Sequence, residues 1–496
     1  MPPRRAMAAH ISILALVLLA FASGRVEAAI GPRATLTIAN QVIAPDGFPR
    51  SAVLAGGTFP GPLIRGKTGD RLNINVVNAL ADKTMAVDTT IHWHGLFQKG
   101  TNWADGVAMV TQCPITPGHS FLYDFGVPEQ AGTFWYHSHH TATGYVVPWS
   151  STRRMTLTSI YMTLMMSRPC SRLEIGIIYL PPNFLGFHIL MRLSSMALAA
   201  LLMVPNPLSD GEDTQPLEVD QVQIFSGQRY SLILKANQPV GNYWIRGNPN
   251  SGDPGYENQM NSAILRYRGA PWIDPTTHER NATKPLVESK LRPLRHERAP
   301  GRPFPGGADV NINLNFGFDP QTTLFTTNNQ TFVPPSVPVL LQILSGAHDA
   351  HELAPSGTIY DIKRGQVVEL TMPALVFAGP HPMHLHGHAF SVIRSAGSKT
   401  YNYDNPLRRD VVNIGTDPTD NVTVRFVADN SGPWFLHCHI DWHLDLGFAV
   451  VFAEATAQTK KDNPVPKAWK DLCPIYNSSG PAKLLMGTNT LHRLPA

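Results

Sequence analysis

The chain has 496 residues, too many for one hydrophobic core and enough for two to four domains, and its content of 43% hydrophobic and 15% charged residues is that of an ordinary globular protein. Its formal charge of +4 arises in one stretch, residues 141–209, which holds five Arg and one Glu; the rest of the chain is balanced. Lys and Arg are not gathered into a groove alongside aromatics, so nucleic acid is set aside as a partner.

At the start, Arg4 and Arg5 precede an apolar run from Ile11 to Ala22, and Val26-Glu27-Ala28 offers a small-residue cleavage site. Residues 1–28 are therefore expected to be a secretory signal that is removed. A membrane anchor is the other reading, but the run is too short to span a bilayer comfortably, and no later stretch reads as transmembrane. Sequons at Asn281, Asn329, Asn421 and Asn477 fit a secreted glycoprotein.

From Ile30 the chain reads as short strands punctuated by turns, among them Ala34 to Ile38, Ala52 to Leu54 and Arg71 to Val77. Long amphipathic helical patterns are absent, and the spacing predicts an all-β sandwich or barrel. Within the first such unit lie His92-Trp93-His94-Gly95, then Cys113, then Gly132-Thr133-Phe134-Trp135-Tyr136-His137-Ser138-His139. The same order recurs about three hundred residues later, where Gly365 opens a strand, His384-Leu385-His386-Gly387 follows, and Gly432 leads into Trp434-Phe435-Leu436-His437-Cys438-His439. The two ends of the chain therefore read as repeats of one domain. A degenerate copy, Gly241-Asn242-Tyr243-Trp244-Ile245-Arg246 preceded by a strand-like Arg229 to Lys235, lacks a His-x-His and reads as a structural domain. The expected division is a first domain at 29–147, a second at 148–283, a Pro- and Arg-rich linker at 284–306 and a last domain at 307–496.

Residues 141–209 break this pattern: seven of the fifteen methionines fall there, acidic residues nearly vanish, and Tyr161-Met162-Thr163-Leu164-Met165-Met166 shows neither strand alternation nor turn logic. The expectation is a translation error, a frameshift or a mis-assigned intron; a buried Met-rich patch is the alternative.

The densest set of metal donors is His437-Cys438-His439-Ile440-Asp441-Trp442-His443. On a strand, successive side chains point to opposite faces, so His437 and His439 share one face and Cys438 takes the other. One metal can sit on each side of such a strand. A thiolate with two imidazoles describes a blue-copper centre, to which Cys438, His443 and His381 contribute. Four His-x-His pairs can surround three further metal ions if the first and last domains bring their strands together. Zinc is the rival for imidazole alone. Copper accounts for ten histidines and the cysteine at once.

These motifs, His-Trp-His-Gly, His-Ser-His, His-Pro-x-His-Leu-His-Gly and His-Cys-His-Ile-Asp-x-His, resemble those of the fungal laccases in the three-domain multicopper oxidase family, over about residues 30–140 and 208–478. The resemblance implies three cupredoxin-like Greek-key β-sandwich domains, the second incomplete, and four copper ions. It implies His381, Cys438 and His443 as type 1 ligands, and His92 and His384 as type 2 ligands. The type 3 pair falls to His94, His137, His139, His386, His437 and His439. Phe448 takes the axial position beside the type 1 copper, where an apolar neighbour cannot donate and should favour the reduced ion, implying a high reduction potential. Asp105, in Trp103-Ala104-Asp105-Gly106, falls where the family keeps an acid that delivers protons to reduced oxygen; a turn-forming Asp-Gly is the plainer reading. Asp441 is expected to orient ligands, and Cys113 to pair with Cys473. His119, His140 and His388 match no ligand position and read as ordinary surface or supporting histidines.

The implied activity is a secreted oxidase that takes single electrons from phenols or aromatic amines at the His443 edge. Electrons then pass through Cys438 to His437 and His439, and dioxygen is reduced to two waters, in a setting of lignin or phenolic degradation. A monomer with no membrane association after signal removal is expected. Two departures stand out: the cysteine-bearing segment that should follow His139 is missing, and with it the acid of the substrate pocket. Cys170 reads as an artefact or a free thiol. A ferroxidase is the enzymatic alternative, disfavoured because no carboxylate cluster is evident around the type 1 edge. An inactive copper-binding product with a defective second domain is the other.

Overall fold

A computed structural model of the chain describes residues 29–44, 49–140, 162–167, 189–193, 201–202, 208–232, 238–249, 262–276, 281–375, 377 and 379–479. The expected signal at 1–28, Cys170 and most of 141–209 lie outside the described residues. No helix among the described residues is long and apolar enough to cross a membrane.

The chain is built of strands, as the turn-punctuated sequence predicts. In Arg71–Ala79 alternate side chains are buried, Leu72, Ile74 and Val76 among them, which is the period-two pattern of a strand with one face on a core. It lies between Arg33–Ile43, to which it runs parallel, and Ser120–Gly126, with Arg50–Ala55 completing a four-stranded sheet. A second sheet holds Ile64–Lys67, Met162–Ser167, Gly132–His137 and His92–His94 in that order. Between the sheets sit Trp93, Tyr123, Phe125, Phe134 and Tyr136, all fully buried. Each such side chain contributes about 1.5–3 kcal/mol on burial.

Met162–Ser167 is a strand. The run shows no strand alternation, yet it pairs antiparallel with Gly132–His137, Thr133 opposite Met165, and parallel with Ile64–Lys67. Ladder hydrogen bonds come from backbone groups that every residue but proline carries, so pairing is available to a sequence with no strand signature.

The last domain packs two five-stranded sheets. One is ordered Val310–Asn313, Val367–Pro373, Asn421–Val427, Phe390–Arg394, Leu407–Arg409. The other runs Ile359–Ile362, Ala449–Glu454, Gly432–Cys438, Pro382–Leu385, Val411–Asn413. In the middle domain Ile189–Leu193 joins Gln221–Ile224, Asn242–Pro249 and Ser262–Arg266 in a four-stranded sheet. Of the strand expected from Arg229 to Lys235, Tyr230 makes an isolated bridge with Ser209, and residues 233–235 lie outside the described residues. The stretch 284–306 is anchored rather than slack. Leu291 is buried with Val219, Val222, Tyr230 and Leu407, and the Arg425 guanidinium donates to the carbonyls of Pro300, Arg302 and Phe304.

After the last sheet, the helix Lys467–Ser478 returns to the first domain. Cys473 forms a disulfide with Cys113 across 360 residues of sequence, and the Trp469 indole donates to the Thr111 carbonyl at 2.9 Å. This strap brings the C-terminal end of the last domain against the first.

Candidate metal centre

Two strand pairs present the histidines in the same way. His92–His94 runs antiparallel to Gly132–His137 with His92 opposite His137, and Pro382–Leu385 runs antiparallel to Gly432–Cys438 with His384 opposite His437. His139 and His439 lie just past the strand ends. The four pairs converge between the first and last domains in one buried cluster of eight imidazoles.

Within it, His139 Nε2 and His386 Nε2 stand 3.3 and 3.1 Å from His437 Nε2, making one triad. His94 Nδ1 is 3.1 Å from His439 Nε2, and the His137 and His439 rings are 5.3 Å apart, making a second. The His92 and His384 rings lie 5.8 Å apart, and their nearest nitrogens fall with that of His386 inside 4.8 Å.

The outer ring nitrogens are held and the inner ones are bare. Nδ1 of His92 donates to the Asp105 carbonyl at 2.7 Å, that of His137 to Ser138 at 2.8 Å, that of His384 to Asp410 at 3.0 Å and that of His437 to Cys438 at 2.9 Å. This fixes the tautomer, leaving a lone pair on Nε2. The Nε2 atoms of His92, His137 and His384 are buried without a hydrogen-bond partner. Unpaired buried acceptors are costly in a folded protein, and a cation resolves them. Burial, followed by mutual repulsion among the rings, holds His94, His139 and His386 well below the ordinary histidine value, and burial does the same for His137, His437 and His439. The rings are thus neutral, as ligation requires. The donor set fits copper.

On the other face of the same strand, Cys438 Sγ lies 3.6 Å from His381 Nδ1 and 3.4 Å from His443 Nδ1, and those two nitrogens are 3.0 Å apart. Burial pushes the thiol up, so a bound metal has to displace its proton. Burial likewise lowers His381 to about 4, with the Phe377 carbonyl acting in the opposite direction. Phe448 is fully buried, its ring 5.1 Å from that of His381, and Phe325 stacks on it at 5.0 Å while standing 4.7 Å from His443. Among the described residues, the rings that face the site from that side are apolar.

Asp105 is fully buried, its Oδ2 accepting from His386 Nδ1 at 2.9 Å and its Oδ1 3.2 Å from His92 Nδ1. It is thus both the Asp-Gly turn and a carboxylate on two of the histidines. Asp441 opens the short helix Asp441–Asp445 that carries His443. His388 is buried, donating to the His386 carbonyl and lying 2.9 Å from Glu454, whereas His119 is exposed on Thr116.

Asp410 escapes the sequence reading. Its carboxylate lies 3.2 Å from His94 Nε2 and 3.4 Å from His384 Nδ1, and Arg229 grips both its oxygens at 2.6 and 2.7 Å. Burial would raise it, but the Arg229 charge, with hydrogen bonds from His384 and Arg229, holds it down to about 2. No local spacing marks it, because Arg229 is 181 residues away.

Residues 37–149, 203–270 and 332–458 each match a domain family described as multicopper oxidase. Laccase-2 of Trametes versicolor is 50% identical over 503 aligned positions, covering 91% of this chain and 95% of that one. The laccase of Pycnoporus cinnabarinus is 48% identical, covering 95% of this chain and 99% of its own. The crystal structure of the laccase from Botrytis aclada superposes with a TM-score of 0.74 at 25% identity, over 91% of this chain and 93% of that one. With 91% of 496 residues, about 451, spread over 503 positions, about 52 positions of the Trametes protein have no counterpart here. Fold, donor set and identity converge: the chain belongs to the multicopper oxidase family, as a laccase-type, four-copper oxidoreductase that acts on phenols with dioxygen as acceptor.

Proposed function

We propose that His381, Cys438 and His443 hold the type 1 copper, that His92 and His384 hold the type 2 ion, and that His94, His137 and His439 with His139, His386 and His437 hold the type 3 pair. Four coppers held there would supply storage for electrons taken singly from phenols or aromatic amines, and their joint transfer to dioxygen to give two waters. The chain's own residues do the rest. His443 presents its ring edge to the substrate and Cys438 lies behind it. The backbone of Cys438 joins that site directly to His437 and His439. Asp105, set between His92 and His386, is placed to deliver protons to where oxygen is reduced. Phe448 and Phe325 keep water and other donors off the thiolate.

The observation that carries this reading is the placement of Cys438 on one face of a strand and its two neighbouring histidines on the other, each within reach of a separate donor set. Cys438→Ser should abolish the intense blue charge-transfer band and oxygen uptake with a phenol, while type 2 copper stays in place. A parent protein that is fully metallated yet colourless would refute the type 1 assignment. Kinetics with ferrous ion against a phenol separate this activity from that of a ferroxidase.

The proposed setting is extracellular: a signal at 1–28 removed on export, sequon glycans, and a monomer with no membrane anchor. The division into domains at 29–147, 148–283 and 307–496, with the linker between the last two, remains part of this proposal. So does a reading-frame error within 141–209, which is supported by the roughly fifty missing positions and by family matches that leave 150–202 between them.

A further inference from the structure

Among the described residues the middle domain contributes no histidine to the centre, yet it reaches the centre. Arg229, 3% exposed, binds Asp410 through both oxygens, and its Nη1 also donates to the Gly227 carbonyl at 3.1 Å. The Arg229 backbone N–H donates to Asp210 at 2.7 Å, and the other oxygen of Asp210 accepts from Arg409 at 2.9 Å and from the Val411 N–H at 3.3 Å. Arg409 in turn reaches Glu288 and Tyr230. The result is a buried lattice of charges in which Asp210, Arg229 and Tyr230 of the middle domain, with Glu288 of the linker, hold Arg409 and Asp410 of the last domain.

Two glycines show how closely the three domains meet. A Cβ at Gly95, beside His94, would come 2.4 Å from the Arg229 guanidinium and 2.9 Å from Asp410. A Cβ at Gly227 would come 2.8 Å from the His439 ring and 3.1 Å from that of His94. Both glycines have φ of +84°, which other residues rarely adopt.

We propose that the middle domain forms one wall of the trinuclear centre, with Arg229 as a positioning residue that sets His94 and His384 by holding Asp410, and Gly227 as the point where that wall closes on His439 and His94. The inference rests on the ligand reading given above. A buried ion pair is weak grounds for stability, because its desolvation offsets its attraction, so its role here is orientation. A guanidinium gripping both oxygens fixes the plane of the carboxylate. Asp410 then accepts the proton of His94 Nε2, which leaves the lone pair on Nδ1, the atom that faces His439. The other seven imidazoles turn Nε2 inward. His94 turns Nδ1 inward, and Arg229 with Asp410 is what holds that tautomer.

The test uses the full chain, loaded with copper, and reads each variant as a ratio to its parent; the parent's own copper count tests the ligand assignment separately. Arg229→Gln should keep the blue band at parental intensity, while copper per protein falls from four toward one and the type 2 electron paramagnetic signal drops at least tenfold. Arg229→Lys keeps the charge but cannot grip both oxygens, so it should fold as the parent does and show a smaller loss of the same kind. Gly227→Ala should also lose trinuclear copper selectively. Lys284→Gln, which breaks only an exposed pair between the start of the linker and Glu218, should change neither signal. The inference is overturned if Arg229→Gln or Arg229→Lys retains parental type 2 and type 3 signals. It is overturned too if the blue band falls in step with the trinuclear copper, which would make Arg229 a merely structural residue.

Discussion

At the scale of single residues, six histidines kept neutral by burial give the metal-free protein a steep acid limb. His94, His137, His139, His386, His437 and His439 all sit well below the ordinary value of 6.5 in the folded chain. A group whose folded value is depressed takes up its proton preferentially on unfolding, so its stabilisation is present above pH 6.5 and is lost as pH falls. Each such histidine contributes a slope of about 1.4 kcal/mol per pH unit below that point. For His381, at about 4 when folded, the loss runs between pH 6.5 and 4. Thermal unfolding of the metal-free protein at stepped pH should show the midpoint falling sharply below pH 6.5, and copper should suppress that slope by occupying the nitrogens. A flat profile from pH 7 to 5 would contradict neutral, buried rings. Gly106 is the second test at this scale. It follows Asp105 with φ of +85°, and a Cβ there would lie 1.8 Å from the Ile91 carbonyl oxygen and 3.0 Å from the His92 nitrogen. Gly106→Ala should cost about 1–3 kcal/mol in backbone strain alone. By pushing Ile91 it should also move His92, so loss of type 2 copper should accompany the loss of stability. Retention of both would show that the turn relaxes without disturbing the strand.

At the scale of elements, the histidine pairs are precise because they sit on paired strands rather than loops. Register does the work: a slip of one residue between Pro382–Leu385 and Gly432–Cys438 would place Cys438 opposite His384 and turn the wrong face to each metal. The C-terminal strap is the element that ties the last domain to the first. Cys113→Ser or Cys473→Ser should lower stability by about 2–5 kcal/mol, as for a cross-link closing a long loop. Urea titration should show this. The Trp469 bond to Thr111 should keep the helix docked, so the blue band should survive at neutral pH. Loss of the blue band on opening the disulfide would mean that the strap holds the metal sites together rather than reinforcing them.

At the scale of the whole molecule, every proposed copper ligand lies outside residues 141–209, so the proposed ligand set does not depend on that stretch. Met162–Ser167 and Ile189–Leu193 still supply strands to two sheets, but about 52 positions of the Trametes relative are missing. With the reading-frame error proposed above, a middle domain short of strands would expose apolar surface and unpaired edges, which favours aggregation. If that domain also walls the trinuclear centre, the shortage reaches the copper directly. The chain as written should therefore express poorly and hold less than four coppers, and a form with the reading frame restored across 141–209 should regain both. Copper per protein and oxygen uptake with a phenol, measured side by side, check this. Equal copper and equal turnover would show the segment to be functional as it stands.

The sequence by itself determined the chemistry, because the donors come in short period-two motifs whose geometry is local: His437, Cys438 and His439 declare two faces of one strand before any fold is known. It also determined the all-β architecture and the repeat of the first domain in the last. The pairing of Cys113 with Cys473 was legible through family resemblance and not through spacing. Tertiary structure alone decided what depends on distant segments meeting. It placed Asp410 beside His94 and His384 under Arg229, set Gly227 against His439, and made a strand of Met162–Ser167. Backbone pairing carries no side-chain signature, and a buried carboxylate acquires its role from whichever charge the fold brings beside it, so neither is written in any stretch of sequence short enough to be read as a motif.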